Sequence, residues 1–205
     1  MSNKIKSKII FISPKKVRYC IHPSKFCDYT QFELLKIHPH AGINRGVFEQ
    51  DSFGYVKIIN KNWDKKPGIP FIKLLEYRAL INHFTGKENW KNSAFAKRNI
   101  NYIKKNYSER GFTNYKKFLI AREKQIDNLF NSIMKKGVLE TKVLSRKKLN
   151  NNISVVLTQN SELYFNNRGH HRLSIAKILN IKEIPVQIVV AKSKRKIENF
   201  YKKNI

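Results

Sequence analysis

The most regular hydrophobic pattern of the chain lies between Tyr115 and Lys135. Apolar residues recur there at the i, i+3, i+4, i+7 and i+8 positions of a helix, namely at Ile126, Leu129, Phe130, Ile133 and Met134. This spacing puts them on one stripe of an α-helix. Gly137 follows where a left-handed residue commonly ends a helix. The stretch therefore predicts an amphipathic helix that packs on a core.

Short runs rich in β-branched and aromatic residues predict strands on both sides of this helix. They cover Lys8–Ile12, Gly54–Ile59, Val143–Leu144, Ile153–Leu157, Glu162–Phe165 and Val186–Ala191, with a hairpin turn at Gln159–Ser161. Helical periodicity predicts further helices over Phe71–Phe84 after a Pro-Gly-Ile-Pro break, within Trp90–Tyr107, and over His170–Leu179. The mixture predicts an α+β protein.

The charge balance indicates an anionic partner. The chain has 42 lysine and arginine residues against 14 aspartate and glutamate residues, a formal net charge of +28. Codon bias is an alternative explanation of the lysine excess, because Lys, Asn and Ile are all abundant. Such a bias does not obviously deplete Asp and Glu, however, and a basic surface without counter-charges repels itself. Basic residues crowd both ends, where electrostatic arms and solvated tails are equally good interpretations. They are Lys4, Lys6, Lys8, Lys15, Lys16 and Arg18, and Lys192, Lys194, Arg195, Lys196, Lys202 and Lys203.

The two cysteines, Cys20 and Cys27, argue against a disulfide scaffold and favour a reducing compartment. Together with His22, His38 and His40 they invite a zinc interpretation, but their spacings match no compact finger signature, so scattered structural residues are favoured. No signal peptide or membrane-spanning segment is predicted. We expect a cytoplasmic protein.

A glycine at the predicted start of the His170 helix carries the candidate chemistry. Gly169 lets the backbone turn and approach an anion, and the helix N-terminus supplies N–H groups and a positive dipole end. Arg172 can add a guanidinium fork, Arg168 a second cation, and His170 and His171 further donors. A tight turn with exposed cations is an equally good interpretation of these residues alone.

Two linked motifs surround this turn. The run LYFNNRGHHRLSIAKILNIKEIPVQIVV, residues 163–190, is similar to the strand, Gly-x-x-Arg, Ala-containing helix and Ile-Pro-Val strand of the ParB/sulfiredoxin-like superfamily. The preceding LFNSIMKKGVLE, residues 129–140, resembles the helix and glycine before its hairpin. The resemblance implies a small mixed sheet with flanking helices, here with a helical insertion. The expected organisation is 1–70 as strands and loops of the core, 71–121 as a basic helical insertion, 122–191 as the ParB/sulfiredoxin-like core, and 192–205 as a basic tail.

The turn residues differ from those of several branches of the family, and these differences limit the reactions that the resemblance implies. Sulfiredoxins have a reactive cysteine after the glycine, where this chain has His170, and partition ParB proteins have Glu-Arg where it has His170 and His171. ParB-like kinases that phosphorylate free serine have a turn similar to Gly-His-His-Arg. The family often has Asp before the glycine, but Arg168 stands here, which puts magnesium binding or base catalysis at this spot in doubt.

The resemblance implies a nucleotide-binding protein, possibly an enzyme, that uses ATP, ADP or CTP with Mg²⁺ in hydrolysis or phosphoryl transfer to a small acceptor. The residues expected to bind phosphate are Arg168, Gly169, His170, His171 and Arg172. The residues expected to act in catalysis are His170, His171 and a carboxylate. The candidate acids are Asp64, Glu49, Asp51 and Glu76. Asp64 is preferred as a catalyst, although a loop aspartate that caps the following helix is the commoner situation. No Walker-type run is present.

A nucleic-acid-binding protein, with or without ParB-like nuclease activity, is the alternative. DNA or RNA would contact Lys91, Lys97, Arg98, Lys104 and Lys105 in the predicted basic helix. The interleaved aromatics Trp90, Phe95, Tyr102, Tyr107, Phe112 and Tyr115 could stack on bases, although core positions are the commoner role. A noncatalytic phosphate sensor or a membrane-surface protein is a third hypothesis.

Overall fold

A computed structural model of the chain describes residues 5–21, 54–60, 64, 68–105, 108, 111–138, 152–166 and 168–205. The predicted strand Val143–Leu144, the acids Glu49 and Asp51, and Cys27 with the histidines His22, His38 and His40 lie outside these residues. The described part is a mixed α+β structure, which confirms the predicted fold class.

In the described residues, seven strands form one mixed sheet. They are β1 (Ile9–Ile12), β2 (Tyr19–Cys20), β3 (Lys57–Ile58), β4 (Ile69–Pro70), β5 (Ile153–Leu157), β6 (Leu163–Phe165) and β7 (Ile184–Ala191). The order across the sheet is β1-β7-β5-β6-β2-β4, and β3 pairs with the last residues of β7, beyond the first residue of β1. Adjacent strands are parallel in the β5–β7, β2–β6 and β3–β7 pairs and antiparallel in the others. All residues of β5, β6 and β7 are buried, so these strands form the middle of the protein.

Five α-helices surround this sheet in the described part of the chain. They are α1 (Leu75–Phe84), α2 (Ala94–Lys104), α3 (Tyr115–Lys136), α4 (His170–Ile178) and α5 (Lys194–Asn204). Short 3₁₀ turns at Pro14–Lys16, Phe71–Lys73 and Trp90–Asn92 precede β2, α1 and α2. Among the described residues, no helix combines the length and apolar character needed to cross a bilayer.

The core has one large cluster between the sheet and its helices. Alternate residues of β5, Ile153, Val155 and Leu157, point into it and meet Leu173, Ile175 and Ala176 of α4. A second cluster, built from α1, α2, α3 and the Trp90 turn, contains Ala79, Leu80, Trp90, Phe95, Ala96, Ile103, Phe118 and Ile126. Phe84 packs against both clusters, with its ring stacked on Phe130 at 3.8 Å between centroids. The helical segment is therefore continuous with the sheet core.

Local patterns predicted most of these elements. The helix Tyr115–Lys136 ends at Gly137, which has a φ of 69°, as its apolar stripe and glycine indicated. The β5–β6 hairpin and the helix after Gly169 are also confirmed. The predicted division between residues 121 and 122, by contrast, falls inside the continuous helix α3. The predicted strand over Gly54–Ile59 is shortened to Lys57–Ile58, with Tyr55 forming an isolated bridge to Lys6.

The predicted basic tail is wrong in one respect, because most of it is the helix α5. Ser193 caps this helix through a hydrogen bond from the Lys196 backbone N–H, at 3.3 Å. Ile197 and Tyr201 lie four residues apart on one face and are buried in the large core cluster. Two apolar residues on one face anchor the helix, while its lysines stay largely exposed. The strongly basic composition of this segment therefore led to the prediction of a tail where the chain forms a packed helix.

Candidate phosphate-binding site

The turn between β6 and α4 brings its backbone close to the start of β5. The Ser154 N–H donates to the Arg168 carbonyl at 3.2 Å, and the Asn166 N–H donates to the Ser154 carbonyl at 2.9 Å. Gly169 then adopts a left-handed conformation, with φ 84° and ψ 24°. A Cβ at this position would lie 3.0 Å from both Cα and Cγ1 of Ile153. Glycine is therefore required here for its conformation and for the close approach of β5.

The N-cap residue of helix α4 is a glycine, which supplies no side-chain acceptor to the helix. Ser93, Asn114 and Ser193 accept hydrogen bonds from backbone N–H groups at the starts of α2, α3 and α5, but Gly169 has no side chain to do so. The first backbone N–H groups of a helix have no acceptor within the helix, and the dipole makes that end positive. The start of α4 is thus suited to a bound anion.

Arg172 lies beside this turn, as the sequence predicted. Its Nη2 is 3.4 Å from the position that a Gly169 Cβ would occupy. Arg172 is half-buried, and burial lowers the pKa of its guanidinium below the ordinary value. Within the described residues, no acid pairs with this guanidinium and no hydrogen bond engages it. A partly desolvated cation without a counter-charge, at a positive helix end, favours an anionic ligand.

The two histidines of the turn lie against each other and reach α3. Their ring centroids are 3.9 Å apart, with His170 buried and His171 half-buried. Arg122 Nη2 lies 3.1 Å from His171 Nε2, while Arg122 Nη1 donates to Gln125 Oε1 at 2.6 Å. The predicted residues Gly169, His170, His171 and Arg172 are therefore gathered in one place, with Arg168 next to them in the chain.

Arg122 belongs to this neighbourhood and was missed by the sequence analysis. It is buried, with 7% of its surface exposed. A signal was present, because Phe118, Arg122 and Ile126 follow one another at intervals of four in the helix. An arginine on the apolar stripe of an amphipathic helix needs a polar partner inside the fold. In this structure Arg122 contacts Gln125 and, at the candidate site, His171.

Asp64 is not brought to the turn. Its Oδ2 accepts from the Gln159 N–H at 2.5 Å, and its Oδ1 lies 3.1 Å from Lys192 Nζ, beyond the end of β5 opposite to Gly169. Because Gly169 touches Ile153 at the start of β5, the six residue steps from Ile153 to Gln159 separate Asp64 from the turn by roughly 20 Å. Asp64 instead lines a polar pocket of about 450 Å³ with Lys192, Glu162 and Tyr164. A shared site for Asp64 and the two histidines does not follow from this geometry.

Glu76 is the candidate acid at the same end of the sheet as the turn. It is buried at the start of α1 and lies 3.3 Å from Arg98 Nη2. Burial, with a smaller effect from the charge of Glu76, raises the pKa of Cys20 to about 12. Cys20 in turn pairs with Phe165, the last residue of β6 before the turn. Glu76 is thus near the site, but its carboxylate is already matched by Arg98.

The residues of the turn do not fit a magnesium ion held directly by the protein. Mg²⁺ takes oxygen ligands, chiefly carboxylates, waters and phosphates, whereas the turn offers guanidinium groups, imidazoles and backbone N–H groups. In the described ranges, no three His, Cys, Asp or Glu side chains converge closely enough to hold a metal ion. The same donors do fit a phosphate group, whose oxygens are mainly hydrogen-bond acceptors at neutral pH.

The residues predicted for nucleic-acid binding lie on and beside α2. Arg98 is engaged by Glu76, and Lys91 lies 3.8 Å from Glu123. Lys97, Lys104 and Lys105 are exposed. Of the interleaved aromatics, Trp90 and Phe95 are buried in the core, Tyr102, Phe112 and Tyr115 are half-buried, and Tyr107 is outside the described residues. The lysines are accessible to a polyanion, whereas the two buried aromatics are not accessible to bases.

Comparison of the chain with protein-family models, with curated proteins and with solved structures finds no match in any of the three. The ParB/sulfiredoxin-like resemblance therefore stays a prediction that rests on the motifs in residues 129–140 and 163–190.

Proposed function

We propose that this chain is a ParB-like nucleotide-binding protein that holds the phosphates of a nucleoside triphosphate at the Gly169 turn. The observation that carries the proposal is Arg172, a half-buried guanidinium with no acidic partner in the described part of the chain, placed at the start of α4, where the N-cap residue is a glycine. A phosphate there would complete the hydrogen bonds of the guanidinium fork and of the helix N-terminus together.

The kind of anion follows from the mixture of donors. Guanidinium groups and backbone N–H groups match the several oxygens of a phosphate, and the histidines add donors of a second type. The histidines and Arg122 extend the donor surface from α4 toward α3, which favours a ligand with more than one phosphate over a lone inorganic ion. Phosphoryl transfer from that ligand, to water or to a small acceptor, is the reaction that the sequence resemblance implies.

Calorimetric titration with ATP, ADP and CTP, each with and without Mg²⁺ and in about 0.15 M salt to screen weak surface attraction, tests the proposal. Arg172→Met is the informative variant. Arg195→Met is its matched control, because it removes one guanidinium from an exposed position on α5, beyond the opposite end of the sheet. Losing hydrogen bonds to a charged group should weaken binding by about 10- to 100-fold in Arg172→Met, and the control should bind like the wild type.

Two results would refute the proposal. One is the absence of saturable binding of any of the three nucleotides to the wild type. The other is equal nucleotide affinity in Arg172→Met and Arg195→Met, because the site would then lie elsewhere.

A nucleic-acid-binding function is the second candidate, supported by the exposed Lys97, Lys104 and Lys105 at α2. In the described ranges none of the three lies within ion-pair distance of an acid. A lysine-to-glutamine triple variant at these positions should weaken DNA or RNA binding and reduce its dependence on salt concentration. Under the nucleotide proposal, the same variant should keep the ATP affinity of the wild type.

A further inference from the structure

The hydrogen bond between Arg122 and His171 joins two helices at the proposed phosphate site. Arg122 is buried on α3 and is held from a second side by Gln125 Oε1, at 2.6 Å. His171 is half-buried in the first turn of α4, with its Nε2 at 3.1 Å from Arg122 Nη2. Packing on both helices thus fixes which nitrogen of the imidazole ring faces the guanidinium.

The chemistry of arginine decides which way this hydrogen bond runs. A guanidinium has only N–H donors, so His171 Nε2 must be the acceptor and must carry no proton. A neutral imidazole without a proton on Nε2 carries it on Nδ1. An imidazolium ring would place an N–H against the N–H of Arg122 and two positive charges side by side. The contact therefore selects the neutral Nδ1–H form of His171.

We propose that Arg122 is a positioning residue, which holds His171 beside the phosphate site as the neutral Nδ1–H tautomer. This inference rests on the proposed function of the Gly169 turn. A hydrogen bond at one ring nitrogen commonly sets the role of the other in this way. The site would then recognise an oxyanion through Arg172 and backbone N–H groups, with His171 beside them as an uncharged ring in a fixed orientation.

The tautomer can be measured in the ligand-free protein. Proton–nitrogen NMR correlation spectra of the imidazole rings distinguish the Nδ1–H, Nε2–H and charged forms, and His171→Gln identifies the His171 signals. At neutral pH we expect the Nδ1–H form in the wild type, a shift toward the Nε2–H form in Arg122→Met, and retention of the Nδ1–H form in Arg122→Lys, which keeps a donor. Lys124→Met, at an exposed position on the same helix, removes one positive charge and should leave the spectrum unchanged.

ATP titration of the same variants tests the link to the ligand. Arg122→Met should weaken binding by about 3- to 10-fold, as expected for loss of one hydrogen bond's contribution, with substantial recovery in Arg122→Lys. A wild-type His171 in the Nε2–H or charged form, or an Arg122→Met variant that binds ATP like the wild type, overturns the inference and leaves the proposed function standing. Failure of the wild type itself to bind ATP, ADP or CTP overturns both.

Discussion

Gly169→Ala tests whether the turn is seated against β5 as described. Two costs arise at this position. An L-residue at a φ of 84° costs about 1 kcal/mol relative to glycine. The new Cβ also meets Cα and Cγ1 of Ile153 at 3.0 Å, and because Cα belongs to a buried central strand it cannot move aside easily. Overpacking of this kind costs about 1–3 kcal/mol, so the total is about 2–4 kcal/mol.

Gly86→Ala provides the matched control. Gly86 also has a positive φ, of 72°, but no atom of the described structure lies within 4 Å of a Cβ built there. Both substitutions reduce the conformational freedom of the unfolded chain to a similar extent, so that term cancels between them. Their difference in free energy of unfolding should therefore be the steric term alone, about 1–3 kcal/mol.

Urea denaturation at equilibrium, with the slope against denaturant compared between variants, measures both values. A loss of about 2–4 kcal/mol is large beside the 5–15 kcal/mol typical of a folded domain, so Gly169→Ala should have a clearly lower midpoint. If the two variants differ by less than about 0.5 kcal/mol, the size of an ordinary surface effect, the turn is not packed on Ile153 and the anion site loses its geometric basis.

Two further substitutions probe groups away from the turn. Lys192→Met leaves the nearly buried Asp64 carboxylate without its ion-pair partner. The free energy of unfolding should therefore fall by about 3 kcal/mol, while ATP affinity stays that of the wild type. Unchanged stability, or loss of ATP binding, would contradict a structural role for this pair. Lys177 has a pKa lowered to about 8 by burial and, less strongly, by Arg18, so between pH 8 and pH 9 the unfolded chain binds more protons than the folded one. The free energy of unfolding should therefore rise with pH across this window, and the rise should be smaller in Lys177→Met; equal slopes would show that Lys177 does not titrate there.

The pH window for Lys177 is bounded above by Cys20. Burial, followed by the charge of Glu76, raises the pKa of this thiol from 9.0 to about 12, so the folded state keeps its proton where the unfolded chain loses it. Above pH 9 this effect lowers stability as pH rises, opposite in sign to that of Lys177. Cys20 is unchanged in Lys177→Met, so the difference in slope between this variant and the wild type isolates the contribution of Lys177.

Short-range signals predicted the elements that local physics controls. The apolar stripe and Gly137 defined α3, and the turn residues at Gln159–Ser161 defined the β5–β6 hairpin, because both patterns act within a few residues of chain. The glycine before α4 predicted a tight turn into a helix for the same reason, since a left-handed conformation is a local property. Arg172 followed from its place in the first helical turn.

Contacts across long sequence separations could not be predicted in this way. Arg122 meets His171, 49 residues away, through the packing of α3 on α4, and no local pattern specifies that pairing. Asp64 lies at the opposite end of β5 because the Gln159 and Lys192 segments gather there, 95 and 128 residues further along the chain. The preference for Asp64 as a catalyst rested on its neighbours in sequence, which do not specify these long-range contacts. The helix α5 was missed because its basic composition outweighed its two anchoring residues.

The pairing of β1 with β7 affects how the chain is made. Near this pair the Lys8 N–H donates to Tyr201 Oη, and these residues are 193 apart in sequence. During synthesis, β1 leaves the ribosome long before β7 has been made. Ile10 and Ile12, which are buried in the folded protein, therefore stay exposed to solvent during that time. Pairing over such distances slows folding and leaves apolar strands open to association. The sheet can close only after β7 has emerged, so nascent chains stalled before β7 should depend on chaperones.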